Sequence, residues 1–228
     1  MLTERITNKI IRTIKSVLFD FEGLFIKIFH RKNTVQDIES RTYGTIVIGR
    51  QEWMSENLCS GKFANGDLLQ FIDNDVEWQL AGKNGIPAWS YFNDDPCSEI
   101  KYGKLYNWHA VNDPRGLAPD GWHIPTDEDW CAMISFLGGE KTAGKKLKSR
   151  RGWKNEGNGS DKSGFNALPG GYRDPDGWFG NGGFGRWWSS TEESDGKAWR
   201  FRLGFDNETI DRFNGPKGYG FSIRCIKN

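Results

Sequence analysis

The sequence predicts a loop-rich α+β domain of short antiparallel strands and about two helices, preceded by an N-terminal amphipathic helix. Three observations carry that expectation. Apolar residues recur every three or four positions through residues 1–33. Beyond about Tyr43 that period gives way to short alternating runs separated by turn clusters. Glycine fills 29 of the 228 positions, near twice the usual share of about 7%, alongside 11 tryptophans. Such a composition describes irregular backbone anchored by large rings, and its aromatic content of 14% supplies too much burial for a disordered chain.

The first segment, residues 1–33, carries seven bases against three acids. It therefore holds +4 and leaves −3 for residues 34–228, within a total of +1. A near-neutral total excludes the broad basic field of a general nucleic-acid binder. Ile10, Ile14, Val17, Phe21, Leu24, Phe25 and Ile28 form the apolar stripe. Charges interrupt it too often for a secretory signal, and no run of about 20 apolar residues offers a membrane span. Three readings stay open for this helix: packing on its own domain or a symmetry mate, docking on a partner or self-association, and lying on a membrane surface. Residues 34–41 read as a polar junction, and residues 42–228 as the main domain.

Within the main domain, Thr45-Ile46-Val47-Ile48 and Phe221-Ser222-Ile223-Arg224-Cys225-Ile226 read as strands. Asn65-Gly66-Asp67, Pro169-Gly170-Gly171, Asp174-Pro175-Asp176-Gly177 and Asn181-Gly182-Gly183 read as turns. One helix starts after Pro125, with Thr126 as N-cap and Asp129 at the capping-box position, and stops at Gly138-Gly139. A second, shorter helix lies around Leu80 or around Lys141–Lys148.

Five blocks then carry a family resemblance. Gly49-Arg50-Gln51-Glu52-Trp53-Met54-Ser55-Glu56-Asn57-Leu58 opens the set and Tyr102-Gly103-Lys104-Leu105-Tyr106-Asn107-Trp108 follows. Next come the stretch from Gly121-Trp122-His123 to Trp130, then Ser163-Gly164-Phe165 through Tyr172-Arg173. The last runs from Trp187-Trp188-Ser189-Ser190-Thr191 to Gly220-Phe221 and Ile226. In this order they resemble the Fibrobacter succinogenes major paralogous domain over roughly residues 42–228. The resemblance implies a C-type-lectin-like fold, related to retroelement-diversified variable proteins and to formylglycine-generating enzymes. It also implies a surface or secreted protein of Bacteroidota-type bacteria. No signal or lipidation cysteine precedes the domain here, which leaves the compartment open. Many relatives carry a cysteine where this chain has Ala118.

Catalytic signals are sparse, and the sequence reads as non-enzymatic. His109 and His123 sit inside family blocks as structural residues, and no nucleophile elbow, zinc-binding helix motif or P-loop occurs. Cys59, Cys97, Cys131 and Cys225 are isolated; they form no zinc knuckle, and their pairing is open. No cofactor is expected. Asp161, Asp174 and Asp176 are the only weak calcium ligands, and Asp-Pro-Asp-Gly is first a turn sequence.

Binding is better signalled. Along Ala198-Trp199-Arg200-Phe201-Arg202-Leu203, Ala198 together with Phe201 or Leu203 faces inward while Arg200 and Arg202 face out. By resemblance to the diversified proteins, the candidate ligand site comprises Arg200, Arg202, Asp206, Asn207, Glu208, Asp211, Phe213 and Asn214 with Trp178, Phe179 and Phe184. Rings beside forked arginines and amides suit a glycan or a polar protein epitope. Trp187 and Trp188 read as core. The leading expectation is a recognition or adhesion module. A structural subunit attached through residues 1–33 is the alternative, and a formylglycine-generating type of oxidase ranks last.

Overall fold

The computed structural model describes residues 33–177, 180 and 182–228. The amphipathic stripe of Ile10, Ile14, Val17, Phe21, Leu24, Phe25 and Ile28 lies outside the described residues, as do Trp178 and Phe179. Among the described residues no helix is long and apolar enough to cross a membrane.

The chain is mixed α+β with mainly antiparallel sheets. It runs β1 (Thr34–Gln36), β2 (Thr42–Ile48), β3 (Gln51–Met54), β4 (Gln70–Phe71), α1 (Asp75–Asn84), β5 (Ala88–Ser90), α2 (Glu99–Tyr102), β6 (Leu105–Tyr106) and α3 (Trp108–Val111). It continues through β7 (Trp122–His123), α4 (Asp127–Phe136), α5 (Glu140–Leu147), β8 (Phe184–Ser194), β9 (Lys197–Gly204), β10 (Ile210–Pro216) and β11 (Ile226–Lys227). One sheet has the order β1-β2-β3-β11-β7, so the last strand lies against the first hairpin. The others are β4-β5-β6 and β10-β9-β8.

Residues 34–41, expected as a junction, instead supply an edge strand and a turn, with β1 antiparallel to β2. Their polarity is spent inside the turn. The buried Asp37 carboxylate accepts from the amides of Glu39 and Arg41 and from the Tyr43 hydroxyl at 2.6 Å. The expected strand from Phe221 to Ile226 shrinks to Ile226–Lys227. The preceding residues are buried and make isolated bridges, Tyr106 with Phe221 and Trp187 with Ser222. Five helices stand among the described residues where about two were expected, because both sites offered for the short helix are used, as α1 and α5. Two single-turn helices, α2 and α3, are too short to show a period.

Helix α4 begins as its sequence indicates. Thr126 Oγ1 accepts from the Asp129 amide, and Asp129 Oδ2 accepts from the Thr126 amide at 2.9 Å. His123 adds a bond from Nε2 to the same carboxylate at 3.1 Å, and its Nδ1 meets Asn228 Oδ1 at 2.7 Å. Burial pushes the Asp129 carboxyl up, but Thr126 and His123 outweigh it and hold it below its usual value. An acid with a depressed folded pKa adds stability above its unfolded value, near 3.9, and loses it as the pH falls through the folded one. Asp129→Ala should therefore cost about 1 kcal/mol at pH 7 in urea unfolding. The difference from wild type should shrink below about pH 4.

The β8–β9–β10 sheet is covered on both faces. Trp187, Phe201, Leu203 and Ile210 join one hydrophobic cluster with Trp53, Trp130 and Phe165. Trp188 and Ala198 join another with Tyr106, Tyr172 and Phe221. This corrects the single inward face read from the sequence. Ala198 shares its side with Arg200 and Arg202, since residues two apart along a strand point the same way, while Phe201 and Leu203 fill the opposite core. Trp187 and Trp188 are buried, 1% and 0% exposed.

Candidate ligand-binding face

The register of the three-stranded sheet sets Arg186 opposite Arg202 and Trp188 opposite Arg200; across β9–β10, Arg202 faces Asp211 and Arg200 faces Phe213. Directly paired residues share a sheet face. Phe184, Arg186, Arg200, Arg202, Asp211 and Phe213 therefore stand on one surface, continuous with Trp188 and Ala198.

Three guanidiniums so close repel one another, and rings hold them in place. The Arg186 guanidinium carbon lies 3.5 Å from the centroid of Tyr172. Arg200 lies 5.3 Å from both Phe213 and Phe221, and Arg202 sits 5.5 Å from Phe184 and 5.0 Å from Phe213. Gly215 makes room for this arrangement, since a Cβ there would come within 2.8 Å of Arg200 Nε.

Hydrogen bonding is uneven across the trio. Arg202 is neutralised by Asp211, with Nη2 at 2.6 Å and Nε at 3.1 Å. Arg200 Nε and Nη1 and Arg186 Nε are buried with no hydrogen-bond partner among the described residues. Burial first, then the neighbouring Arg186 and Arg202 charges, push Arg200 down from the usual arginine range to about 10. Burial also lowers Arg186. The face thus holds cationic donors that the described protein leaves unmet, at a cost in desolvation.

Of the site residues expected from sequence, Phe184, Arg200, Arg202, Asp211 and Phe213 come together here. Asn207 and Glu208 do not, because they build the β9–β10 turn, while Asp206 stands at the margin of the face, its Oδ1 over Gly204 beside Phe184. Asn207 Oδ1 accepts from the Thr209 amide and hydroxyl, its carbonyl accepts from Lys148 Nζ at 2.7 Å, and Glu208 pairs with Lys145. Asp206 accepts from Asn207 Nδ2. Asn214 pairs with Trp199 on the other face, where Arg212 stacks at 3.5 Å on Trp199 and binds Asp127. Trp178 and Phe179 fall outside the described residues. Sequence reasoning missed Arg186, Tyr172 and Phe221. Arg186 had a signal, since it stands two residues from both Phe184 and Trp188.

The other candidates are occupied in turns or lie apart. Asp161 Oδ1 accepts from the Asn166 amide and Asp174 Oδ1 from the Asp176 amide. Among the described residues no three histidine, cysteine, aspartate or glutamate side chains converge to hold a metal ion. All four cysteines are unpaired, Cys59 and Cys225 buried and Cys97 and Cys131 exposed. A groove of about 670 Å³ runs past His109, Lys217 and Gly218. There His109 Nε2 meets Gly82 O at 3.0 Å, and burial lowers its pKa.

No curated protein and no solved structure matches the chain. A family model does match, over residues 46–227, from β2 to β11 and across the whole arginine face. The chain belongs to the Fibrobacter succinogenes major domain family.

Proposed function

We propose that the domain is a non-catalytic recognition module, of the kind used in adhesion, whose glycan or polar protein ligand sits on the Arg186–Arg200–Arg202 face. One observation carries the reading: Arg200 holds two buried donor nitrogens without an acceptor among the described residues, between two further guanidiniums and under two rings. Arginine stays cationic across ordinary pH, so it binds and orients anions and amides but does not exchange protons as a general acid or base. A C-type-lectin-like arrangement belongs to the same reading. It is supported by the last strand closing on the first hairpin and by the long loops between.

The test is a binding screen of the full chain on a glycan array and on immobilised proteins, repeated with Phe213→Ser. Phe213 is 41% exposed, so its loss leaves the core intact. Retention of an unaltered ligand by the wild type, weakened by Phe213→Ser, supports the reading. Retention indifferent to Phe213, or a ligand chemically changed on incubation, overturns it.

Stability supplies a second check. Buried cationic donors without an acceptor among the described residues destabilise the fold, and methionine keeps an apolar stem against Phe213 and Phe221. Arg200→Met should raise the free energy of unfolding by about 1 kcal/mol, net of the lost cation–π contacts. A urea midpoint lower than that of wild type would mean that Arg200 is there for the fold.

A further inference from the structure

We infer that the arginine face is a receptor for a carboxylate carried on a sugar ring, so that the ligand is an acidic saccharide such as a uronate or sialate. The inference rests on the recognition reading above and specifies its chemistry.

The charge balance of the face points to an anion. Three guanidiniums share it with two carboxylates: Asp211, which is engaged with Arg202, and Asp206, whose Oδ1 lies over Gly204 beside Phe184 and accepts from Asn207 Nδ2. On the other side of the Asp211 carboxylate the Thr209 hydroxyl, shared with Asn207 Oδ1, lies 3.0 Å from Asp211 Oδ1, and no bond from Arg200 reaches it. Arg186 lies over Tyr172, its guanidinium carbon 3.5 Å from the ring centroid, and its Nε is buried with no hydrogen-bond partner among the described residues. An incoming anion would satisfy buried N–H groups that nothing among the described residues satisfies, and it would relieve the repulsion between Arg186, Arg200 and Arg202.

The ring geometry points to a saccharide. Phe184 and Phe213 flank Arg202, and Phe213 is exposed at the margin of the sheet. A pyranose lays its C–H face on such a ring while a carboxylate at its edge reaches the guanidiniums. An isolated phosphate or sulfate would use the arginines and leave the rings idle. An acidic peptide could pair by its backbone along β10, the end strand of this sheet, without using the rings.

The test uses the full chain against matched pairs of oligosaccharides, each a uronic or sialic acid and its neutral methyl ester, by calorimetry at two salt concentrations. The acid should bind at least tenfold more tightly than its ester, more so at low salt. Arg200→Gln should abolish that tenfold preference, and Arg200→Met, expected to fold at least as stably as wild type, should do the same. Equal affinity for acid and ester, or an acid preference that survives both substitutions, overturns the inference while the recognition reading stands. Failure to bind any saccharide, charged or neutral, together with binding of poly-glutamate at the same residues, overturns the saccharide assignment. Failure to bind any of these probes counts against both readings.

Discussion

Asn57→Leu is expected to lower the free energy of unfolding by about 4 kcal/mol, the largest effect of any single substitution considered. Asn57 sits in the block that follows β3, and its amide uses every polar position it has. Oδ1 accepts from Trp187 Nε1 at 2.9 Å and from Arg224 Nε and Nη2 at 3.2 and 2.8 Å; Nδ2 donates to the Tyr102 carbonyl and to Ser222 Oγ. Arg224 is 1% exposed, stacks 4.0 Å from the Phe165 ring and donates its remaining nitrogen, Nη1, to the Phe165 carbonyl. No carboxylate bonds it among the described residues, and burial pushes it down to about 9. Leucine matches the volume but strands a buried guanidinium with one acceptor, along with the Trp187 indole N–H and the Tyr102 carbonyl. A stranded buried charge costs far more than the hydrogen bond that held it. Pairing the change with Arg224→Met should recover about half the loss, a coupling that a double-mutant cycle in urea measures directly. An Asn57→Leu protein within 1 kcal/mol of wild type would remove Asn57 from this central role.

That hub also separates what the sequence makes legible from what it does not. The Thr126-to-Asp129 cap, the alternation in β2 and the burial of Trp187 and Trp188 are local, and each follows from residues close in the chain. Asn57 and Arg224 are 167 positions apart, and nothing local says that an amide and a guanidinium will meet in the core. The same reason hid half of the arginine face. Arg200 and Arg202 announce themselves by alternation with Phe201 and Leu203. Arg186 follows a run of glycines that masks where β8 begins, and Tyr172 and Phe221 arrive from loops joined only by single bridges, Gly171 with Gly185 and Arg173 with Gly220. Period-two patterns also assume one wet face. With a hydrophobic cluster on each side of the β8–β10 sheet, the pattern separates Arg200 and Arg202 from Phe201 and Leu203 and misplaces Ala198, which is buried on the arginine side.

Gly144→Ala should destabilise the protein by about 2–3 kcal/mol, although the substitution lies within a helix and alanine is the better helix former by about 1 kcal/mol. The reason is how α5 is seated. A Cβ at residue 144 would fall 2.3 Å from the Thr209 carbonyl oxygen and 2.4 Å from that of Glu208, both backbone atoms that no rotamer change can move. Helix and turn are fastened on either side of that contact: the Lys145 amide donates to Glu208 O at 3.1 Å, and Lys148 Nζ donates to Gly204 O at 3.0 Å and Asn207 O at 2.7 Å. The turn from Asp206 to Glu208 therefore serves as the seat of a helix, which explains why Asn207 and Glu208, which look like ligand contacts in the sequence, are engaged by Lys148 and Lys145 instead. It also makes a divided outcome expected. Gly144→Ala should lower the urea midpoint while the folded protein keeps its affinity for whatever the arginine face binds. Lys141→Ala on the exposed side of the same helix should change neither. If Gly144→Ala instead raised stability, as it would in an isolated helix, α5 could not be pressed backbone to backbone on the turn, and Asn207 and Glu208 would return as candidate ligand contacts.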